Sequence, residues 1–275
     1  MQPIPILMYH SVSDQIDERY RKWAVTPARF SSHMKILSDQ GYSVLGVSAV
    51  ASKLEDGLPL PEKLAVLTFD DGLQDFLTGA FPILEQYRFQ ATLFVVAGRI
   101  NETSRWLAPL GEGERPMLRA EEIRVLHSRG IEIGAHSLTH PELDLLEKHE
   151  CENEIRGSRL MLEQILGADV RTFAYPHGYA TAATRRIVQE AGFQSAVRVC
   201  HALSDASEDR FGLSRLIVTQ DCDPVELISL VEGKGIQVAP PQDRFQKMCW
   251  RLARRIRNKL LPQPDPGFHF VALED

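Results

Sequence analysis

Two short segments carry residue types at spacings that could do chemistry. Thr68-Phe69-Asp70-Asp71-Gly72 sets two adjacent carboxylates before a glycine that lets the chain turn sharply. Neighbouring side chains diverge at the end of an extended run, so one carboxylate can hold a cation while the other faces a substrate. His136-Ser137-Leu138-Thr139-His140 sets two imidazoles four residues apart, on one face if the chain turns helically there. Two imidazoles and one carboxylate leave positions on a divalent cation for water and substrate, as in catalytic rather than structural sites. Alone, Asp70-Asp71-Gly72 fits an ordinary turn or helix cap, and His136 to His140 fits a polar loop. Together the segments predict one divalent-metal site of a hydrolase.

The elements that must position these residues follow from apolar patterning. Runs without polar alternation at 4–9, 64–69, 91–96, 131–135, 171–175, 195–199 and 215–219 predict buried strands. Helical patterns lie at 27–40, 73–87, 119–129, 145–166 and 180–191, several closed by a glycine at 41, 130, 167 or 192. Parallel strands covered by helices are expected, in about seven units, which suggests a barrel. Chemistry in such folds gathers at the C-terminal strand ends. That rule selects His10, Asp70, Asp71, His136 and the segment Tyr175-Pro176-His177-Gly178. Residues 101–116, rich in glycine, proline and charge, read as a rim loop. The rhythm stops from Gly233, and 235–243, with Pro240-Pro241, reads as a linker. The expected division is a catalytic barrel over 1–233 and a linker with a basic tail over 234–275.

The two motifs, in their order and spacing, resemble the first two motifs of the polysaccharide deacetylases, the NodB-homology group of carbohydrate esterase family 4. The likeness spans roughly residues 4–220. It implies an α/β fold, a deformed (β/α)7 barrel, that removes acetyl groups from N-acetylated sugars with one metal ion. It also implies that Asp70 is the general base and that Asp71, His136 and His140 bind the metal. Zn2+ suits such a His2Asp set, while Co2+, Ni2+ or Mn2+ could serve. Phe173-Ala174-Tyr175-Pro176-His177-Gly178 looks like the third motif, whose backbone amide, here that of His177, would help stabilise an oxyanion.

This chain departs from the family at two places. Many relatives end with a Leu-x-Leu-His motif that supplies an acid histidine, and Arg215-Leu216-Ile217-Val218-Thr219-Gln220 has none. Ile6-Leu7-Met8-Tyr9-His10-Ser11 instead resembles the N-terminal strand of the circularly permuted deacetylases, which makes His10 the expected acid; His269 is a weaker alternative beyond the linker. Ala174 stands where many relatives carry an arginine paired with the base. Arg215 could supply that cation, or lie on the surface. The His177 side chain could contact sugar or serve structure, and Tyr9 and Phe69 read as core.

A chain of 275 residues, 44% hydrophobic and 25% charged, accommodates one large domain, and its net charge of -6 argues against a surface built to track nucleic acid. Cys151, Cys200, Cys222 and Cys249 form no CxxC pair, so reduced structural thiols are expected. The start of the chain lacks a basic and apolar leader and no run is long enough to span a bilayer, which points to the cytoplasm. Within 244–261, Phe245, Met248, Leu252, Ile256 and Leu260 form a helical stripe among seven basic residues. Such a helix could lie on the inner face of an anionic membrane, dock on an acidic partner, or pack on the barrel. The expected partner is an acetylated carbohydrate: an N-acetylhexosamine unit of a glycan, oligosaccharide or lipid-linked sugar. An O-acetyl ester or small metabolite would suit the same centre, and a non-catalytic glycan-binding homologue is the alternative of another class.

Overall fold

The apolar runs pair as strands because each is flanked by helices that bury its outer face. A computed structural model describes residues 2–239. Its strands are β1 (Ile6–Tyr9), β2 (Ser11–Val12), β3 (Ala24–Val25), β4 (Ser43–Leu45), β5 (Leu64–Phe69), β6 (Thr92–Val95), β7 (Glu132–Ala135), β8 (Thr172–Ala174), β9 (Ser195–Val199) and β10 (Leu213–Ile217). Its helices are α1 (Pro27–Asp39), α2 (Val47–Glu55), α3 (Phe81–Tyr87), α4 (Ala120–Ser128), α5 (Lys148–Leu166), α6 (Ala182–Glu190) and α7 (Pro224–Val231). Strand β1 pairs in parallel with both β5 and β10, and parallel pairing from β5 through β10 closes a ring of seven. This is the expected α/β fold, a deformed (β/α)7 barrel. Strand β4 flanks the first half of β5, leaving Thr68 and Phe69 to pair with β6.

Strand alternation divides the core. Ile6, Val66, Phe94, Ala174, Val197 and Leu213 form one buried cluster, whereas Leu7, Tyr9, Leu67 and Phe69 join the larger cluster with Phe30 and Phe76 beneath the helices. Tyr9 and Phe69 stack in that core, ring centres 5.2 Å apart. Gly134 makes room inside the barrel: a Cβ there would lie 2.5 Å from the Phe94 ring. Thr26 caps α1 through the Arg29 amide at 3.1 Å, and Asp223 caps α7 through the amides of Val225 and Glu226. The expected glycines at 41, 130, 167 and 192 all adopt the left-handed conformation after their helices.

Several boundaries differ from the sequence reading. The last strand starts at Leu213, not 215, because Leu213 completes the inner cluster and Ser214 pairs with Arg198. The helix expected over 73–87 divides into a π-helical turn at Phe76–Ala80 and α3, for Gly79 packs directly on the Val12 carbonyl. Strand β4, helices α2 and α7 and the small β2–β3 sheet are additional. Within the stretch expected to be a linker, residues up to 239 still pair with the barrel: Leu203 N donates to Gln237 O at 3.0 Å and Ala239 N to Leu203 O at 2.8 Å. The basic stripe at 244–261, Cys249 and His269 lie outside the described residues. No helix among those described is long and apolar enough to cross a membrane.

Candidate active site

The period of two that buries Val66 inside the barrel also turns Thr68 and Asp70 inward, just past the end of β5. Asp71 follows with φ 75°, fixed where its carbonyl accepts from Val96 N at 3.2 Å. Gly72, at φ 80°, has its Cβ position 3.2 Å from the Val95 backbone, so glycine permits this turn. The two carboxylates therefore diverge while both stay buried.

His136 directly follows β7, and its Nδ1 lies 2.8 Å from the Ala174 carbonyl. That carbonyl accepts the Nδ1 proton and leaves Nε2 as the basic nitrogen facing Asp71 at 3.8 Å. The loop to His140 is not the helical turn that a four-residue spacing would allow. Ser137 and His140 both take left-handed φ values, 63° and 66°. Glu154 of α5 holds the loop by accepting from the Leu138 and Thr139 amides, each at 2.9 Å, and Ser137 Oγ accepts from His140 N at 3.0 Å. Strained backbone of this kind persists where surrounding bonds over-determine it.

His140 Nε2 consequently lies 3.5 Å from Asp71 Oδ1, and one ligand atom from each of Asp71, His136 and His140 falls within 4.8 Å of the others. Two ligands about 2.1 Å from a tetrahedral ion sit roughly 3.4 Å apart, so the 3.5 and 3.8 Å separations of Asp71 from the two imidazoles suit a shared divalent cation. Electrostatics agree. Burial, with Asp70 and Asp75 nearby, pushes the Asp71 carboxyl up to about 8, a strain that a cation would relieve. Burial likewise lowers both imidazoles, favouring the neutral ligand form.

Arg215 lies on the inner face of β10, fully buried, with its guanidinium carbon 5.6 Å from the Phe94 ring centre. It donates Nη1 to Asp70 Oδ1 at 2.6 Å and Nη2 to Asp70 Oδ2 at 2.7 Å, a bidentate pair. Nη1 also donates to Thr68 Oγ1 at 3.2 Å. Burial alone would raise Asp70; Arg215 and His136 reverse this and hold it at about 2. The barrel thus brings a cation to Asp70 from β10 rather than from position 174 of β8.

His10 follows β1 and is half-buried, its ring 5.1 Å from that of Trp23. Burial lowers it to about 4, with Asp70 pulling upward and Arg215 and His136 downward. His10 therefore shares one electrostatic environment with Asp70, Arg215 and His136. His177, at φ 57° in the turn after β8, places its ring 4.7 Å from His140. All seven residues selected from the sequence converge on the C-terminal end of the barrel.

Five further neighbours escaped the sequence reading. Trp106 stacks on His140 at 5.3 Å, Trp23 lies tilted against His10, and Tyr20, Asp75 and Arg115 form a buried polar group beside Asp71. The only local signal was Asp75, four residues past Asp71.

Comparison with known proteins gives this geometry a context. A sequence profile of the polysaccharide deacetylase family matches residues 57–196. The Bacillus subtilis protein YxkH is 27% identical over 216 residues, which is 78% of this chain and 71% of YxkH. Poly-beta-1,6-N-acetyl-D-glucosamine N-deacetylase of Escherichia coli K12 is 29% identical over 136 residues, 48% of this chain but only 20% of that protein. Among solved structures, the Streptococcus pyogenes deacetylase PplD in complex with acetate superposes with a TM-score of 0.74 at 25% identity, covering 84% of this chain and 98% of PplD. IcaB from Ammonifex degensii shares the fold at a TM-score of 0.70 and 22% identity, with 84% and 98% covered. The profile takes in both β5 with its carboxylates and β7 with its histidines, and the chain belongs to the polysaccharide deacetylase family.

Proposed function

We propose that this protein is a metal-dependent N-deacetylase acting on N-acetylhexosamine units of a glycan, with Asp71, His136 and His140 as metal ligands. The observation that carries the reading is the bidentate Arg215–Asp70 pair set beside that ligand triad. The name of the Escherichia coli relative favours a poly-β-1,6-linked N-acetylglucosamine substrate. When bound, a divalent cation, Zn2+ by the chemistry of the donor set, supplies Lewis acidity to the acetamide carbonyl and to the attacking water.

The residues of the chain divide the proton work. Arg215 keeps Asp70 ionised and oriented, so Asp70 accepts the proton of water as it attacks the amide carbon. The departing amine needs a proton, and His10 delivers it. In the resting site His10 is neutral at pH 7, its value lying at about 4. Negative charge developing on the substrate opposes that depression, so His10 takes a proton from solvent as the oxyanion forms and passes it to the amine, while Asp70 holds the proton of the attacking water. The His177 amide assists as an oxyanion donor.

Acetate release from a β-1,6-linked N-acetylglucosamine oligomer tests this directly. Chelator should abolish it, and Asp70→Asn should lower it about 1,000-fold while metal content stays at one equivalent. Full activity in the chelated protein or in Asp70→Asn would overturn the reading.

A further inference from the structure

Strand β2, which directly follows His10, is gripped at both of its residues. Asp75 Oδ2 accepts from the Ser11 hydroxyl, from Val12 N at 3.0 Å and from Arg115 Nη2 at 2.9 Å. Arg115 Nη2 also donates to Ser11 Oγ at 3.0 Å, and its Nη1 reaches Glu112 Oε2 at 3.2 Å. Glu112 in turn accepts from Asp17 N at 2.6 Å. The Asp75 and Arg115 side chains are 10% and 9% exposed, so these are buried, charge-assisted contacts. On the other side of the same strand, a Cβ on Gly79 would lie 2.0 Å from Val12 O, so the π-helical turn abuts Val12 with no side chain between.

Asp75 and Gly79 belong to the segment that begins with Asp70 and Asp71. One stretch of chain therefore carries the base, one metal ligand and the grip on the strand opposite. We infer that Asp75, braced by Arg115, is a positioning residue for the acid: it fixes where His10 stands relative to Asp70. Arg115 arrives from the rim loop at 101–116, so that loop is tied to the placement of His10. The inference rests on His10 being the acid, as proposed above. Asp75 itself touches no reacting atom. Its part is geometric, and misplacement of a catalytic group by about 1 Å can cost roughly 100-fold.

The zinc-reconstituted full chain provides the test, with a β-1,6-linked N-acetylglucosamine oligomer and 4-nitrophenyl acetate as probes. The amide needs a protonated leaving group and the activated ester does not. Asp75→Asn should lower kcat on the amide about 10- to 100-fold, with KM and metal content little changed and ester turnover preserved. In a His10→Ala background Asp75→Asn should add no further loss. Ser11→Ala, a milder cut in the same network, should show the same pattern at smaller size if Asp75→Asn does not fold. Equal losses on amide and ester, or a full additional loss in the His10→Ala background, would overturn the positioning role while leaving the acid in place. Undiminished amide turnover in His10→Ala would instead remove the acid assignment, and the positioning role with it.

Discussion

At the N-terminal end of the strands, Glu132 opens β7 with its carboxylate accepting from Thr92 Oγ1 at 2.9 Å, Thr172 Oγ1 at 2.8 Å and the Ser48 amide at 3.1 Å. Nearby, Glu208 accepts from Arg198 and Ser204, each at 2.8 Å, and from both the amide and the hydroxyl of Ser214. At the C-terminal end, Asp71 stands beside Asp70 and near Asp75, with its carboxyl pushed up to about 8. Both ends bury carboxylates. One end satisfies them with hydroxyls, amides and an arginine, while the other leaves a carboxylate and two neutral imidazoles facing a common point. Protein donors complete a structural site; an unrelieved carboxylate marks a place for a ligand.

The largest test of this contrast removes the buried arginine from each end. Arg215→Met and Arg198→Met should each destabilise the fold by about 3–5 kcal/mol in denaturant melts, because each strands a buried carboxylate. Only Arg215→Met should also depress acetate release per folded molecule, by about 100-fold or more, through the loss of orientation of Asp70. Comparable specific activity in the two variants would erase the distinction between the ends.

A smaller effect separates the carboxylates by sign. In metal-free protein Asp71→Asn should raise stability by about 2 kcal/mol, since a buried acid beside two others is replaced by a neutral isostere that tolerates left-handed backbone. Glu132→Gln should lower stability by about 2 kcal/mol, because its amide group cannot accept every bond the carboxylate accepts. Metal binding, followed by calorimetry, should vanish in Asp71→Asn and persist in Glu132→Gln. Stabilisation by Glu132→Gln would break the comparison from the structural side.

The smallest effect uses a histidine outside the site. His33 of α1 is buried between the Tyr9 hydroxyl at 3.1 Å and the Cys222 carbonyl at 2.8 Å, and burial lowers it to about 4. A depressed histidine contributes stability that is complete above about pH 6.5 and lost as pH falls toward 4, because the unfolded chain takes up the proton first. Between pH 6.5 and 5 the loss is about 1.5 kcal/mol, and His33→Gln should flatten that part of the stability curve. An unchanged slope in His33→Gln would place the acid sensitivity on the site histidines instead.

These contrasts also separate local from long-range information. Asp70, Asp71, His136 and His140 were legible because each pair lies within five residues at a strand end, and period-two alternation orients the strand without reference to the rest of the chain. The glycines at 41, 130, 167 and 192 were legible for the same reason, since a helix end selects left-handed backbone locally. Whether the chain from His136 to His140 turns helically was left open by the spacing, for its path depends on Glu154, a residue of a later helix.

What the sequence by itself determined is the grouping of Asp71 with His136 and His140, the carboxylate beside it and the barrel rhythm, all encoded in short spacings and hydrophobic period. What only the tertiary structure decided is the pairing of Arg215 with Asp70, the arrival of His10 beside them and the grip of Asp75 and Arg115 on the strand that follows it. Arg215 and Asp70 are 145 residues apart. Nothing local distinguishes an inward arginine on β10 from an exposed one until β1 pairs with both β5 and β10 and the ring closes.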